Sequence, residues 1–153
     1  MPVRAVAIEA CTELLDSAWL ALRCALWPDT DEADHRVEMA QLLAAGPQRC
    51  MQFVARAADG TALGLAEAAL RHDHVNGTDT SPVAFLEGLY VVPAARRTGI
   101  ARALVAVVAR WGRERGCTEF ASDTPLDNVV GQAVHRALGF VETERVVYFR
   151  LPL

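Results

Sequence analysis

No apolar run in this chain of 153 residues approaches the ~20 residues that a membrane-spanning helix needs. The opening residues lack a signal-peptide core as well, because Arg4, Glu9, Glu13 and Asp16 interrupt any apolar stretch. Secretion is therefore not expected, and the Asn76-Gly77-Thr78 sequon is expected to go unused. There is no Cys-x-x-Cys pair, and Cys11, Cys24, Cys50 and Cys117 are scattered with no histidine pairing nearby. That argues against a metal site and reads as reduced thiols in a cytoplasmic protein. An excess of positive charge is missing too. The net charge of −4 makes nucleic acid an unexpected partner and mildly favours a cationic one. Internal repeats, low-complexity tracts and linkers are absent, so residues 1–153 are expected to form one domain. What the chain does have is apolar material: 52% of it is hydrophobic, enough for a substantial core at this length.

Periodicity divides the chain into strands and helices. Val3–Ile8 reads as an opening strand. Leu14, Ala18, Leu22 and Leu26 recur at i+4 with Leu15 and Trp19 beside them, which marks an amphipathic helix ending at Trp27-Pro28-Asp29. Asp31 to about Leu43 forms a second, more acidic helix, stopped by Gly46-Pro47. Met51–Ala57 and Ala62–Leu70 are strands joined by a hairpin at Asp59-Gly60. A polar loop, His72 to Pro82, leads to the strand Val83–Val92. A long helix follows from about Gly99 to Arg115, with Ile100, Leu104, Val107, Val108 and Trp111 on one face and Gly116 just past its end. Glu119–Ser122 is a short strand. A helix beginning at Asp127 is expected to carry Val130, Val134 and Leu138 inward, and strands Phe140–Thr143 and Arg145–Leu151 finish the chain. The order predicts an α/β (α+β) domain with a mixed central sheet and helices on its faces.

Leu89-Tyr-Val-Val-Pro-Ala-Ala-Arg-Arg-Thr-Gly-Ile-Ala101 is the most informative segment. A strand, a basic glycine-containing turn and a helix start make a pyrophosphate site, because first-turn amides lack intrahelical partners and the helix dipole is positive there. Arg96 and Arg97 add charge for phosphate oxygens.

In this setting Arg96-Arg-Thr-Gly-Ile-Ala101 resembles the acyl-coenzyme A loop of the GCN5-related N-acetyltransferases, and Asn128-x6-His135-x3-Gly139-Phe140 looks like a second segment of that family. His135 departs from the pattern, standing where these enzymes commonly carry the tyrosine that protonates the leaving thiolate. Five further stretches are similar to one group of aminoglycoside 6′-N-acetyltransferases: His72–Pro82, Phe85–Gly88, Cys117–Phe120, Ala121–Thr124 and Gly139–Tyr148. The resemblance implies a mostly antiparallel sheet splayed at the acyl-coenzyme A site, with helices on both faces. It implies acetyl-coenzyme A as co-substrate, held by Leu89, Val91, Arg96, Arg97, Thr98, Gly99, Ile100, Ala101 and Asn128. It further implies an aminoglycoside bound by Trp27, His74, Glu87, Asp123 and Glu144, and a homodimer joined through the final strands.

The residues themselves support these roles unevenly. Gly88, inside a β-rich run, suits a bulge that turns a backbone N–H toward a thioester carbonyl, or a close approach by a helix. Glu87 is an acid in an apolar strand and either faces a polar cleft or pairs with an arginine. Asp123, at a strand end, is the candidate base for the ammonium proton; its plainer reading is a helix cap, for which Asp127 is better placed. Trp27 is a sugar-stacking wall or a helix-end core residue. His135 is more simply structural than a general acid, and Cys117 reads as a buried small hydrophobe. With no Cys–His pair, direct transfer is expected rather than a covalent acetyl-enzyme. The expected activity is acetyl transfer to the 6′-amine of an aminoglycoside. The alternatives are another amine, such as a polyamine or a peptide N-terminus, and a non-catalytic acyl-coenzyme A module.

Overall fold

A computed structural model of the chain describes residues 5–153. Its sheet has the order β1 (Val6–Ala10), β2 (Cys50–Ala57), β3 (Ala62–Arg71), β4 (Val83–Val91) and β5 (Phe120–Ser122). The first four strands are antiparallel to their neighbours, and β5 joins β4 in parallel. The helices among the described residues are α1 (Ser17–Leu26), α2 (Glu32–Ala45), α3 (Ile100–Glu114) and α4 (Val129–Ala137). The mixed, mostly antiparallel sheet expected from the sequence is therefore present. The expected start of the first strand at Val3 lies outside the described residues. No helix among the described residues is long and apolar enough to cross a membrane.

Two apolar layers fix the helices to opposite faces. On α3, Ile100, Leu104, Val108 and Trp111 form one buried stripe against Phe53, Ala55, Ala66, Ala68, Ala84 and Leu86. On the other face Trp19, Leu22 and Met39 from α1 and α2 cover Val54 and Leu65. Each such large apolar side chain contributes ~1.5–3 kcal/mol when removed from water. α1 starts at Ser17 and not at Leu14 because the Asp16 carboxylate accepts from the amides of Ala18 and Trp19 at 3.0 and 3.2 Å.

β4 contains a bulge that organises everything downstream. Glu67 pairs with Gly88 and Ala68 with Leu86, so Glu87 is the extra residue. The bulge reverses the strand's phase. Ala84 and Leu86 pack on the α3 side before it, Leu89 and Val91 do so after it, and Tyr90 and Val92 join the α1–α2 side.

The C-terminal region departs from the sequence expectation twice. Phe140–Thr143 and Arg145–Leu151 form no ladder, and Tyr148 and Phe149 are 82% and 93% exposed. Val130 and Val134 on α4, expected to point inward, are also exposed. One cause accounts for both. The apolar face of α4 needs a sheet extending past β5, and β5 is the edge strand.

Candidate active site

β4 and β5 pair over three residues: Ala84 with Phe120, Phe85 with Ala121, and Leu86 with Ser122. The Ser122 hydroxyl donates to the Leu86 carbonyl at 3.2 Å and closes the last pair. Past it the pairing stops, and Glu87 and Asp123 are the next residues on each side. Val92 N donates to Leu63 O on β3 at 2.9 Å. By strand alternation the amides of Leu89 and Val91 then point away from β3, to the side on which β5 pairs earlier in the strand. These are the donors a thioester carbonyl could meet.

The strand runs into a 3-10 turn at Pro93–Ala95 and then into α3. Arg97 has φ +61° and Gly99 has φ +90°, two left-handed residues that swing the chain into the helix. The first helical bond, Ala103 N to Gly99 O at 3.0 Å, leaves the amides of Ile100, Ala101 and Arg102 without intrahelical acceptors. Gly99 caps the helix with no side chain in the way. Pyrophosphate fits this terminus by charge and by donor count. Ile100 is 4% exposed, so it can offer only its amide. Thr98 Oγ1 donates to Ala95 O at 2.5 Å, and Arg96 Nε donates to Val91 O at 2.9 Å, with its guanidinium 5.7 Å from the Tyr90 ring. Neither Arg96 nor Arg97 has an ion pair among the described residues, and both are exposed.

Asn128 caps α4, its Oδ1 accepting from Gly131 N at 2.9 Å. This corrects the expectation that Asp127 would cap it: the helix starts at Val129, one residue later than that cap requires. Asp123 is thereby free of the capping role and lies exposed at the end of β5 with no side-chain partner among the described residues.

Glu87 does have a partner. Its carboxylate takes Arg71 Nη2 at 3.0 Å and Nε at 3.2 Å, and the Arg71 guanidinium lies 3.6 Å over the Phe85 ring. The arginine-pairing reading of Glu87 is thus the one the geometry contains. Trp27 ends α1 and rests on Gly88, where an added Cβ would come within 2.6 Å of the indole. Of the two readings of Gly88, the bulge and the close approach, both hold. His74 is exposed in the 72–82 loop, which Val75 pins by packing with Val83 and Phe85. Glu119 anchors the same loop, accepting from Asp79 N, Thr80 N and Thr80 Oγ1. These bonds, the hydroxyl's first, hold its carboxyl below the usual carboxylate range. Glu144 is exposed beside that loop, where Thr143 packs against Gly77.

His135 has no ring nitrogen to spare. Nδ1 donates to Gly131 O at 2.7 Å, Nε2 meets Ser122 Oγ at 2.8 Å, and the ring lies against Phe140 at 5.4 Å. It pins α4 to β5, the structural role expected of it. All four cysteines are free, and burial raises the thiols of Cys11, Cys50 and Cys117. Among the described residues no group of His, Cys, Asp and Glu could hold a metal ion.

Sequence reasoning missed a buried polar group behind this site, in which Arg23 and Glu67 pair at 2.6 Å. Its only sequence signal is one charge of each sign set inside apolar stretches, 44 residues apart.

The Acetyltransferase (GNAT) family matches residues 9–140. The aminoglycoside N(6′)-acetyltransferase type 1 of Serratia marcescens is 52% identical over 136 residues, covering 89% of this chain and 92% of that one. Its counterpart from Stenotrophomonas maltophilia is 50% identical over 153 residues, covering 100% of this chain and 97% of its own. The structure of AAC(6′)-Iy in complex with the bisubstrate analog CoA-S-monomethyl-acetylneamine superposes with a TM-score of 0.90 at 44% identity, covering 97% and 99% of the two chains. A short parallel β4–β5 pairing that ends at Leu86 and Ser122, a helix start with unbonded amides and two arginines after β4, and these similarities agree: the chain belongs to the GNAT acetyltransferase family.

Proposed function

We propose that this chain transfers the acetyl group of acetyl-coenzyme A to the 6′-amine of aminoglycosides, in the cytoplasm, and so inactivates them. The observation that carries this reading is the register of β4 and β5. Glu87 and Asp123 are the first residues past the last β4–β5 pair, and the chain beyond Glu87 carries outward amides and two arginines without ion pairs among the described residues, which supports the reading. Aminoglycosides are polycations and acetyl-coenzyme A is a polyanion, so the two substrates suit the two sides. Relatives at about 50% identity over nearly the whole chain carry the aminoglycoside activity in their names, which supports the choice of amine.

In this reading Arg96, Arg97, Thr98 and the amides of Gly99, Ile100 and Ala101 hold the pyrophosphate, and Asn128 supports the pantetheine arm. Leu89 or Val91 N–H polarises the thioester carbonyl. Trp27, His74, Glu87 and Glu144 bind the aminoglycoside, with Glu87 divided between Arg71 and a substrate ammonium. Asp123 takes one proton from the ammonium. The neutral nitrogen then bonds to the acetyl carbon, the C–S bond breaks, and the second nitrogen proton leaves as the thiolate takes one up. The amide product has lost a positive charge and hydrogen-bond donors, which weakens its grip on ribosomal RNA phosphates.

A homodimer is part of the proposal. An edge strand, an exposed apolar face on α4 and an exposed apolar tail occur together in one chain, and a second copy supplies what each is missing. Phe149→Asp is expected to lower the mass read by light scattering from dimer to monomer; an unchanged mass overturns this part. Thiol release from acetyl-coenzyme A with kanamycin or tobramycin tests the activity. Turnover with spermidine and none with any 6′-amino aminoglycoside would overturn the substrate assignment.

A further inference from the structure

Behind the β4 bulge, the α1–α2 layer holds a charged group that the transfer reaction does not use. Arg23 and Glu67 are 3% and 4% exposed, and Arg23 Nη1 donates to both carboxylate oxygens at 2.6 Å. Trp19 Nε1 donates to the same carboxylate at 2.7 Å, and Arg23 Nη2 pairs with Glu38 at the rim. Arg23 Nε points at Nδ1 of the fully buried His35, 3.3 Å away. Arginine has only donors, so Nδ1 carries the lone pair and the ring proton sits on Nε2. That proton is donated to the Trp27 carbonyl oxygen at 3.2 Å. The Arg23 guanidinium also lies 4.8 Å from the Trp27 ring, and Trp27 N donates to Arg23 O at 2.9 Å.

Apart from the Arg23–Glu38 pair at the rim, every branch of the group ends on Trp27 or on the strand opposite Gly88. Trp27 belongs to none of the three buried apolar clusters, so polar contacts do much of the work of holding it. A buried ion pair of this kind is a poor source of stability, since apolar side chains of similar volume often replace one without loss. Its distinctive property is fixed direction. Glu67 is the β3 partner of Gly88, and the indole rests on Gly88 on the same α1 face that the Glu67 carboxylate occupies.

We propose that Arg23, His35 and Glu67 form a positioning group that fixes Trp27 against the bulge and so sets how the aminoglycoside ring is presented to the thioester. The inference rests on Trp27 being a wall of the substrate site. These three are positioning residues, because they act through Trp27 and touch neither substrate.

The test uses the full chain. His35→Leu removes both ring hydrogen bonds, whereas His35→Gln offers an oxygen to Arg23 Nε and an N–H to the Trp27 carbonyl. His35→Leu is expected to raise the tobramycin KM on the order of tenfold while leaving the acetyl-coenzyme A KM unchanged, and His35→Gln to restore it. Equal rises in both KM values, or a lowered melting temperature with the tobramycin KM unchanged, overturn the inference. Trp27→Ala is measured alongside. If it leaves the tobramycin KM unchanged, the substrate wall fails and the inference fails with it. If it raises that KM and His35→Leu does not, the positioning group alone fails. Should His35→Leu not fold, tobramycin titrated into 15N-histidine-labelled wild-type protein reads the same contact. A shift of the protonated His35 Nε2 resonance is expected, and either no shift or a proton found on Nδ1 overturns the inference.

Discussion

Glu87 and Asp123 each stand one residue beyond the last pair that joins β4 to β5, yet their surroundings differ. Glu87 is neutralised by Arg71, while Asp123 is exposed with no side-chain partner. Only Asp123 is free to take a proton without breaking an ion pair. Asp123→Asn is expected to lower kcat about 100-fold or more with little change in acetyl-coenzyme A affinity. Thiol-release kinetics and calorimetric titration of the cofactor separate the two quantities.

Gly88 carries the Trp27 indole where a side chain would be. Gly88→Ala forces the indole to move by a substantial part of an ångström and is expected to destabilise by about 1–3 kcal/mol. The tobramycin KM should rise with it. A thermal melt beside steady-state kinetics checks both.

Arg97 combines a left-handed backbone with a charge that the proposed function assigns to the pyrophosphate. Arg97→Gly and Arg97→Ala both lose the charge, and only glycine relieves the backbone. Both are expected to raise the acetyl-coenzyme A KM, with Arg97→Gly the more stable of the two by about 1 kcal/mol. A salt series is the control, since the wild-type KM should rise with ionic strength more steeply than that of either variant.

Burial first, then the Asp16 carboxylate, pushes the Cys11 thiol from 9.0 up to about 12. Between those values the folded chain keeps a proton that the unfolded chain has lost. Its contribution is therefore complete below pH 9 and is lost as pH rises toward 12. Unfolding by denaturant is expected to become easier across that window. Cys11→Ala should flatten the decline, and a decline equally steep in the variant would remove Cys11 as its cause.

The parts of this molecule that repeat or punctuate were legible in the sequence. The stripe from Ile100 to Trp111 is a helix because apolar side chains recur at its pitch, and Gly99 and Gly116 flank it in left-handed turns. The basic glycine turn ahead of that helix was readable for the same local reason. Contacts between distant residues were not. Arg23 and Glu67 are each only an interruption of an apolar pattern until the fold joins them. The bulge was signalled by Gly88, but the residue it expels is Glu87, a matter of register that one strand cannot reveal. Val130 and Val134 were correctly apolar and wrongly placed inside, because periodicity tells which residues need cover and not what provides it. The cap of α4 was missed by one residue, Asn128 in place of Asp127.

Val146–Leu151 reads Val-Val-Tyr-Phe-Arg-Leu, with strand-forming side chains, one charge and no proline. On the same chain β5 leaves one edge of the sheet open. A body that carries both a loose strand and an edge to receive one can be completed in two ways. A two-fold exchange uses both tails and both edges at once and stops. A head-to-tail addition leaves one of each exposed at the growing end and continues without limit. In the proposed homodimer the tail would be the fastening, and the same pairing made head to tail would polymerise, so the symmetry of the first encounter would decide between them.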